Sequence, residues 1–364
     1  MTEPLVAAGG HVAMAAANVG VGLEPSSDGS LDQSRIGVPD VDRFMRARNL
    51  VRVGVTMGDP AGIGPEIALA AVANRRVTDV CETVLYGPQT PTERARFNPG
   101  VLSADAGLVA LEAIEQAVAD AVAGRLDAIA TGPINKQALA LAGSNWRGHT
   151  ELLSHLTGAG EVAMMFYSSR LSVVLATVHV PLAAVPQLLT QARVETVISL
   201  AAAELPRFGV AEPRLAVAGL NPHAGEGRLL GHEDLDVVAP AVESARQRGI
   251  DVVGPLPADT VFRQAVDGRF DVVIACYHDQ GLIPIKLVAF GEAVNVTLGL
   301  PIIRTSVDHG TAFDIAGQGV ADETSLVNAV ELAARLAGRP LVTPAGALVS
   351  HSHSAGVRQI VDAS

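Results

Sequence analysis

The chain has 364 residues, too many for one simple core and enough for two α/β lobes. A formal net charge of −12 excludes a general attraction to nucleic acid or to an anionic membrane, so an anionic ligand must be held by a few placed cations. Only two cysteines occur, Cys81 and Cys276, far apart in sequence. They form no disulfide framework, and a reducing cytoplasm is the expected location.

Residues 1–48 are rich in Ala, Gly, Val and Ser and carry no regular apolar period, which predicts a disordered extension. An alternative is a working start nearer Met45. Leu5 to Leu23 is mildly apolar, but it lacks a basic flank and is broken by Gly9, Gly10, His11, Asn18 and Gly20. That pattern fits neither a signal peptide nor a membrane span.

From Arg52 the pattern becomes regular. Arg52 to Thr56 reads as a strand, followed by a Gly/Pro loop and a helix with Pro65 at its first position. Val80 to Tyr86 is a second strand, Gly107 to Gly124 a helix, and Leu126 to Ala130 a strand opening into Thr131-Gly132-Pro133. Leu171 to Val178 is strongly β-like, Val194 to Phe208 helical, and Arg214 to Leu220 a strand. A helix follows at Leu235 to Arg248, strands at Asp271 to Cys276 and Ala293 to Leu298, and a last helix at Glu323 to Leu336. The tail, 341–364, with His351 and His353, is expected to be loose. Alternating strands and helices predict a mostly parallel sheet covered on both faces. Ligands of such sheets bind beyond the carboxyl ends of strands, where this chain places its polar clusters.

Three histidines follow strands: His179 after Leu171–Val178, His223 in Asn221-Pro222-His223-Ala224-Gly225-Glu226-Gly227, and His278 in Tyr277-His278-Asp279-Gln280-Gly281. Neutral imidazoles suit Zn, Co, Ni or Mn, and Asp279 would widen the choice toward hard cations. Their long spacing leaves two readings open, a metal site or three separate loop histidines. His149 and Thr150 precede an apolar helical run, where Thr150 is expected to cap the helix and free N–H groups would favour an anion. His155 reads as structural and His232 as surface. Lysine is scarce, so Lys136 and Lys286 near strand ends are candidate phosphate or carboxylate ligands against the usual solvated amine. Arg304, after an apolar run, is a candidate bidentate clamp.

Gly58-Asp59-Pro60-Ala61-Gly62-Ile63-Gly64-Pro65-Glu66 follows a strand and opens a helix, but it lacks the last small residue of the dinucleotide fingerprint. Gly158-Ala159-Gly160-Glu161-Val162-Ala163 fits GxGxxA in the wrong context, after a helix and before a strand. No P-loop motif is present. No cofactor-binding residue is assigned from these motifs.

Several long segments together resemble the 4-hydroxythreonine-4-phosphate dehydrogenase family of pyridoxal phosphate biosynthesis. They are Val55 to Glu66, Gly148-His149-Thr150-Glu151, Gly219 to Gly227, Gly254 to Thr260, Tyr277 to Gly281, Asn295 to Pro301 and Arg304 to Thr311. They run in family order over roughly 51–336. The resemblance implies a fold like isocitrate and isopropylmalate dehydrogenase, two α/β/α lobes about a central cleft. The lobes would be 49–150 with 300–340, and 151–299.

It also implies a homodimer with its site at the subunit interface. His179, His223 and His278 would be metal ligands for Zn, Co or Mg, at least one of them from the partner subunit. His149, Thr150, Lys286, Asn295 and Arg304 would bind substrate. Arg228 stands where a further glycine is common in the family.

The implied activity is NAD- or NADP-linked oxidation of 4-phosphohydroxy-L-threonine, then decarboxylation to 3-amino-2-oxopropyl phosphate. Lys286, Asp279 and His149 are candidates for the base. Alternatives are threonate or erythronate phosphates, an aromatic cis-dihydrodiol dicarboxylate or, from another class, a phosphate acyltransferase-like or non-oxidising phosphate-binding protein.

Overall fold

The computed structural model describes residues 50–146 and 148–338, with the backbone of 341–342 and 348–349. The expectations for 1–48, and for His351 and His353, lie outside the described residues. Leu341–Val342 and Leu348–Val349 pair as a short antiparallel ladder.

One ten-stranded sheet organises the fold, in the order β2-β1-β3-β10-β9-β4-β5-β8-β6-β7. The strands are β1 (Val51–Thr56), β2 (Cys81–Tyr86), β3 (Ala128–Thr131), β4 (Ala163–Tyr167), β5 (Ser172–Leu175), β6 (Leu215–Ala218), β7 (Val252–Leu256), β8 (Val272–Ala275), β9 (Val294–Leu298) and β10 (Ile303–Ser306). Those near the middle are short and buried on both faces, as helices packed on each side require.

Pairing is parallel within β2-β1-β3-β10 and within β5-β8-β6-β7. Between these blocks, β10–β9, β9–β4 and β4–β5 are antiparallel. Three reversals turn the second block against the first, so their carboxyl ends lie at opposite edges of the sheet. This corrects the picture of one uniform row of strand ends carrying every polar cluster.

A large apolar cluster covers one face, where the helices Gly64–Ala73, Gln191–Glu204, Ala239–Gln247 and Thr324–Ala337 pack. On the other face two separate clusters form. One joins Ile129 to Ile114, Leu152 and Leu153, and the other joins Val173, Leu175 and Ala275 to Leu282, Ile285 and Phe262. The strands between them, β10, β9 and β4, floor the region that carries the candidate site.

Helix His278–Ala289 links the two edges. It begins at the exit of β8 and brings Lys286 back to Asp308, just past β10. Its Gly281 lets it lie close on β5, since a Cβ there would meet Val173 Cγ1 and Leu175 Cδ2, each at 2.7 Å. Gln280 fastens its start, receiving the Cys276 N–H at 2.6 Å and donating to the Gly219 carbonyl at 2.7 Å.

Other elements begin or end within a few residues of expectation. Helix His149–Thr157 has Gly148 as its N-cap with no side-chain cap, so Thr150 lies inside the first turn rather than at the cap. Pro65 is the second residue of its helix, which starts at Gly64.

Candidate functional site

A polar row crosses the floor from strand to strand. Thr56 stands opposite Thr131, Thr131 opposite Ser306, and Ser306 opposite Asn295. Arg304 lies one pleat below Ser306, opposite Ile129 of β3, on the same face. Its side chain is 2% exposed. Nε and Nη2 donate to Thr131 Oγ1 at 3.2 and 2.8 Å, and Nη1 donates to Thr297 Oγ1 at 3.0 Å. Burial pushes its pKa down to about 9, which leaves the guanidinium charged at neutral pH.

His149 lies close enough to feel that charge. Desolvation, then the Arg304 charge, hold its imidazole well below the ordinary 6.5, so the ring is neutral at pH 7. Among the described residues its buried Nε2 has no partner, nor has Asn295 Oδ1 on the floor. Two orphan polar atoms near an arginine that has no carboxylate partner among the described residues are costly when buried and suited to a polar, anionic ligand. Lys286, the other candidate substrate cation, is half-buried with Nζ 3.4 Å from the Asp308 carbonyl, just past the Arg304 strand. Thr150 is half-buried in the first turn of the helix that His149 opens.

The histidine group is more open. The His179 and His278 rings lie 5.6 Å apart, centroid to centroid. His278 Nδ1 pairs with Asp279 Oδ1 at 2.6 Å, which fixes the ring's orientation. His179 is exposed to solvent, yet desolvation, then the charges of Lys136 and His278, lower its pKa, with Glu151 opposing. Lys136 itself is exposed. Among the described residues, no three His, Cys, Asp or Glu side chains stand close enough to hold a metal ion. His179 and His278 therefore form a pair, and His223 is not gathered with them in one chain.

His223 is exposed on a loop of unusual backbone. From His223 to Arg228, φ is positive at every residue: 52, 53, 82, 43, 63 and 81°. Glycine supplies this conformation freely at Gly225 and Gly227, whereas each other residue costs about 1–2 kcal/mol. Asp234, fully buried, anchors the turn by accepting from Leu220 N, Asn221 N and Asn221 Nδ2 at 2.7, 3.0 and 2.9 Å. Arg228, where glycine is common in the family, sits at φ 81° and ion-pairs with Asp236. His155, expected to be structural, is exposed with its ring stacked on Trp146 at 4.6 Å, and His232, expected at the surface, is exposed 3.4 Å from Asp236.

Sequence reasoning missed Thr131, Thr297 and Asp234. Thr131 lay in view as the residue opening the Gly132-Pro133 loop. A hydroxyl inside a short, otherwise apolar strand was the signal available for both threonines.

Comparison with known proteins bears on the whole described region. Residues 55–333 match the family described as Pyridoxal phosphate biosynthetic protein PdxA. A 4-hydroxythreonine-4-phosphate dehydrogenase from Desulforapulum autotrophicum is 45% identical over 320 residues, covering 78% of this chain and 94% of the relative. A D-threonate 4-phosphate dehydrogenase from Salmonella typhimurium is 45% identical over 322 residues, covering 78% and 98%. The crystal structure of 4-hydroxythreonine-4-phosphate dehydrogenase from Klebsiella pneumoniae is 42% identical, with TM-score 0.71, and covers 79% of this chain and 99% of its own. With this length of match, and relatives that are dehydrogenases, the chain belongs to the pyridoxal phosphate biosynthetic protein PdxA family.

Proposed function

We propose that this protein is an NAD- or NADP-linked dehydrogenase of a phosphorylated four-carbon hydroxy acid, with 4-phosphohydroxy-L-threonine as substrate. The observation that carries this is Arg304, a buried, charged guanidinium with no carboxylate partner among the described residues, near the orphan atoms of His149 and Asn295. Such a pocket binds an oxyanion at one end of a small polar substrate. Arg304, His149, Thr150, Asn295 and Lys286 would hold the phosphate and position the hydroxyl to be oxidised.

D-threonate 4-phosphate is the second reading, because relatives named for either substrate are 45% identical to this chain. The two acids differ only in the amine or hydroxyl on C2 and in configuration, and both present the same phosphate to Arg304.

The donor set fits a divalent ion: paired imidazoles, one of them oriented by a carboxylate, as metal-binding histidines commonly are. His179, His223 and His278 would hold Zn, Co or Mg. Bound there, the ion supplies Lewis-acid stabilisation of negative charge on oxygen.

The set would be completed across a homodimer. Exposed large apolar residues flank each histidine: Leu182 and Leu188 after His179, Leu229 and Leu230 after His223, and Ile283, Leu287 and Phe290 after His278. Leu287 is 81% and Phe290 79% exposed, on the helix that carries His278 and its immediate exit, which marks this face for a partner.

Oxidation moves a hydride from the carbon bearing the hydroxyl to the nicotinamide, and the hydroxyl proton to a base. His149, the uncharged candidate, would take that proton, since Lys286 serves the phosphate as a cation and Asp279 is committed to His278. The β-keto acid then loses carbon dioxide, giving 3-amino-2-oxopropyl phosphate from the threonine substrate.

The test is NADH or NADPH formation by the full chain with added divalent metal, on 4-phosphohydroxy-L-threonine beside D-threonate and D-erythronate 4-phosphates. The expected result is metal-dependent turnover fastest on 4-phosphohydroxy-L-threonine. A clear preference for D-threonate 4-phosphate would establish the second reading, and no reduction of either cofactor on any of them would refute the dehydrogenase assignment.

A further inference from the structure

A fully buried arginine is ordinarily paired with a carboxylate, because an unpaired charge is expensive away from water. Arg304 is 2% exposed, and its hydrogen-bond acceptors among the described residues are two neutral hydroxyls. His149, close enough for the Arg304 charge to lower its pKa, is itself a base. Thr131 Oγ1 is saturated: it accepts from Nε and Nη2, and its own proton points to the Thr305 carbonyl at 3.4 Å. Ser306 Oγ, the cross-strand neighbour of Thr131, donates to the Thr131 carbonyl at 3.1 Å and ties the two strand ends together. Thr297 holds Nη1 from β9, on the opposite side of β10 from β3. The guanidinium is thus gripped from both neighbouring strands. Of its five N–H groups, one on each terminal nitrogen keeps no protein acceptor among the described residues.

We propose that Thr131 and Thr297 are positioning residues that fix Arg304 as an uncompensated cation, so that its two free N–H groups form a fork for an oxyanion of the substrate. The inference rests on the reading that Arg304 binds the substrate's anionic group. Hydroxyls serve here because they hold the side chain without cancelling its charge. A carboxylate in either place would pair the arginine internally, stabilise the fold and close the fork to ligand.

Inorganic phosphate is the direct probe, titrated calorimetrically into the full chain, with steady-state KM and kcat on 4-phosphohydroxy-L-threonine read alongside. Thr131→Val and Thr297→Val keep the shape and remove the acceptor, and each should weaken phosphate binding about 10-fold, with the loss appearing in KM far more than in kcat. Thr131→Ser restores the acceptor and should recover most of the affinity. Thr297→Asp should weaken phosphate about 100-fold while the thermal midpoint stays level or rises.

The two valine variants are made separately, so that a folding defect in one leaves the other to decide. Phosphate affinity and KM within twofold of the parent in the folded valine variant would overturn the proposal. So would a loss in Thr131→Ser as large as in Thr131→Val. Arg304→Met separates the two levels of the account. If it abolishes phosphate binding while the threonine variants bind normally, only the positioning role fails. If it too binds normally, the assignment of Arg304 to the anion fails with it.

Discussion

Around Arg304 the holding contacts are made inside one chain, on three adjacent strands, and the guanidinium is buried to 2%. Around the histidines the protein is open: His179 and His278 face each other at 5.6 Å, while His223 rides an exposed left-handed turn apart from them. The first region is preorganised, its guanidinium held before any ligand arrives. The second carries its imidazoles on surfaces fringed with exposed leucine and phenylalanine, the face proposed above to meet a partner and an ion. A rigid sheet floor holds a charge in place, whereas the loops and helix start that carry the histidines leave their imidazoles open to solvent.

The largest effect expected from breaking this contrast is at the histidines. His223→Ala should lower divalent-metal affinity, measured by equilibrium dialysis, at least about 100-fold, while phosphate binding at Arg304 stays intact. Equal metal affinity in the variant would remove His223 from the set.

Leu287→Asp places a charge on the exposed apolar stripe. Losing a buried leucine from each side of an interface costs about 1.5–3 kcal/mol per copy, so light scattering should show a shift from dimer toward monomer, with turnover falling in step. An unchanged mass would argue that this helix face meets no partner.

Asp234→Asn keeps the shape of the anchor beneath the His223 turn but weakens its grip on three N–H groups. A loss of about 1–3 kcal/mol in urea unfolding is expected, with weaker metal binding at His223 as the accompanying sign. Full stability in this variant would mean that the turn holds itself.

The smallest effect concerns pH. The folded chain holds the His149 pKa well below 6.5, chiefly by desolvation and then by the Arg304 charge. Between those two values the unfolded chain binds a proton that the folded chain refuses. Stability is therefore full above 6.5 and falls as pH drops toward the lower folded value. His149→Gln should flatten that part of the profile. An unchanged slope would place the titration elsewhere.

The alternation of strands and helices was legible because buried parallel strands write themselves as short apolar runs. His149, Asn295 and Arg304 stood out because they lie in the family segments, and Lys286 because lysine is scarce; the structure sets Arg304 against Asn295's strand and close enough to His149 to lower its pKa. The reversal in mid-sheet was not, since β10–β9–β4–β5 pairing is decided by long-range packing rather than by any local period. Helix His278–Ala289 was hidden by Gly281 and Pro284, residues that usually break helices, although Gly281 is there to let the helix press on β5. Thr131 and Thr297 were hidden because one hydroxyl in a short buried strand looks the same whether it grips an arginine or a neighbouring carbonyl.

The most direct test of the account compares 4-phosphohydroxy-L-threonine with its dephosphorylated form, using enzyme stripped of metal by chelator and then restored with Zn, Co or Mg. Cofactor reduction is expected only when phosphate and metal are both present. Equal turnover without the phosphate would contradict the role given to Arg304, and full turnover of the stripped enzyme would contradict the role given to the histidines.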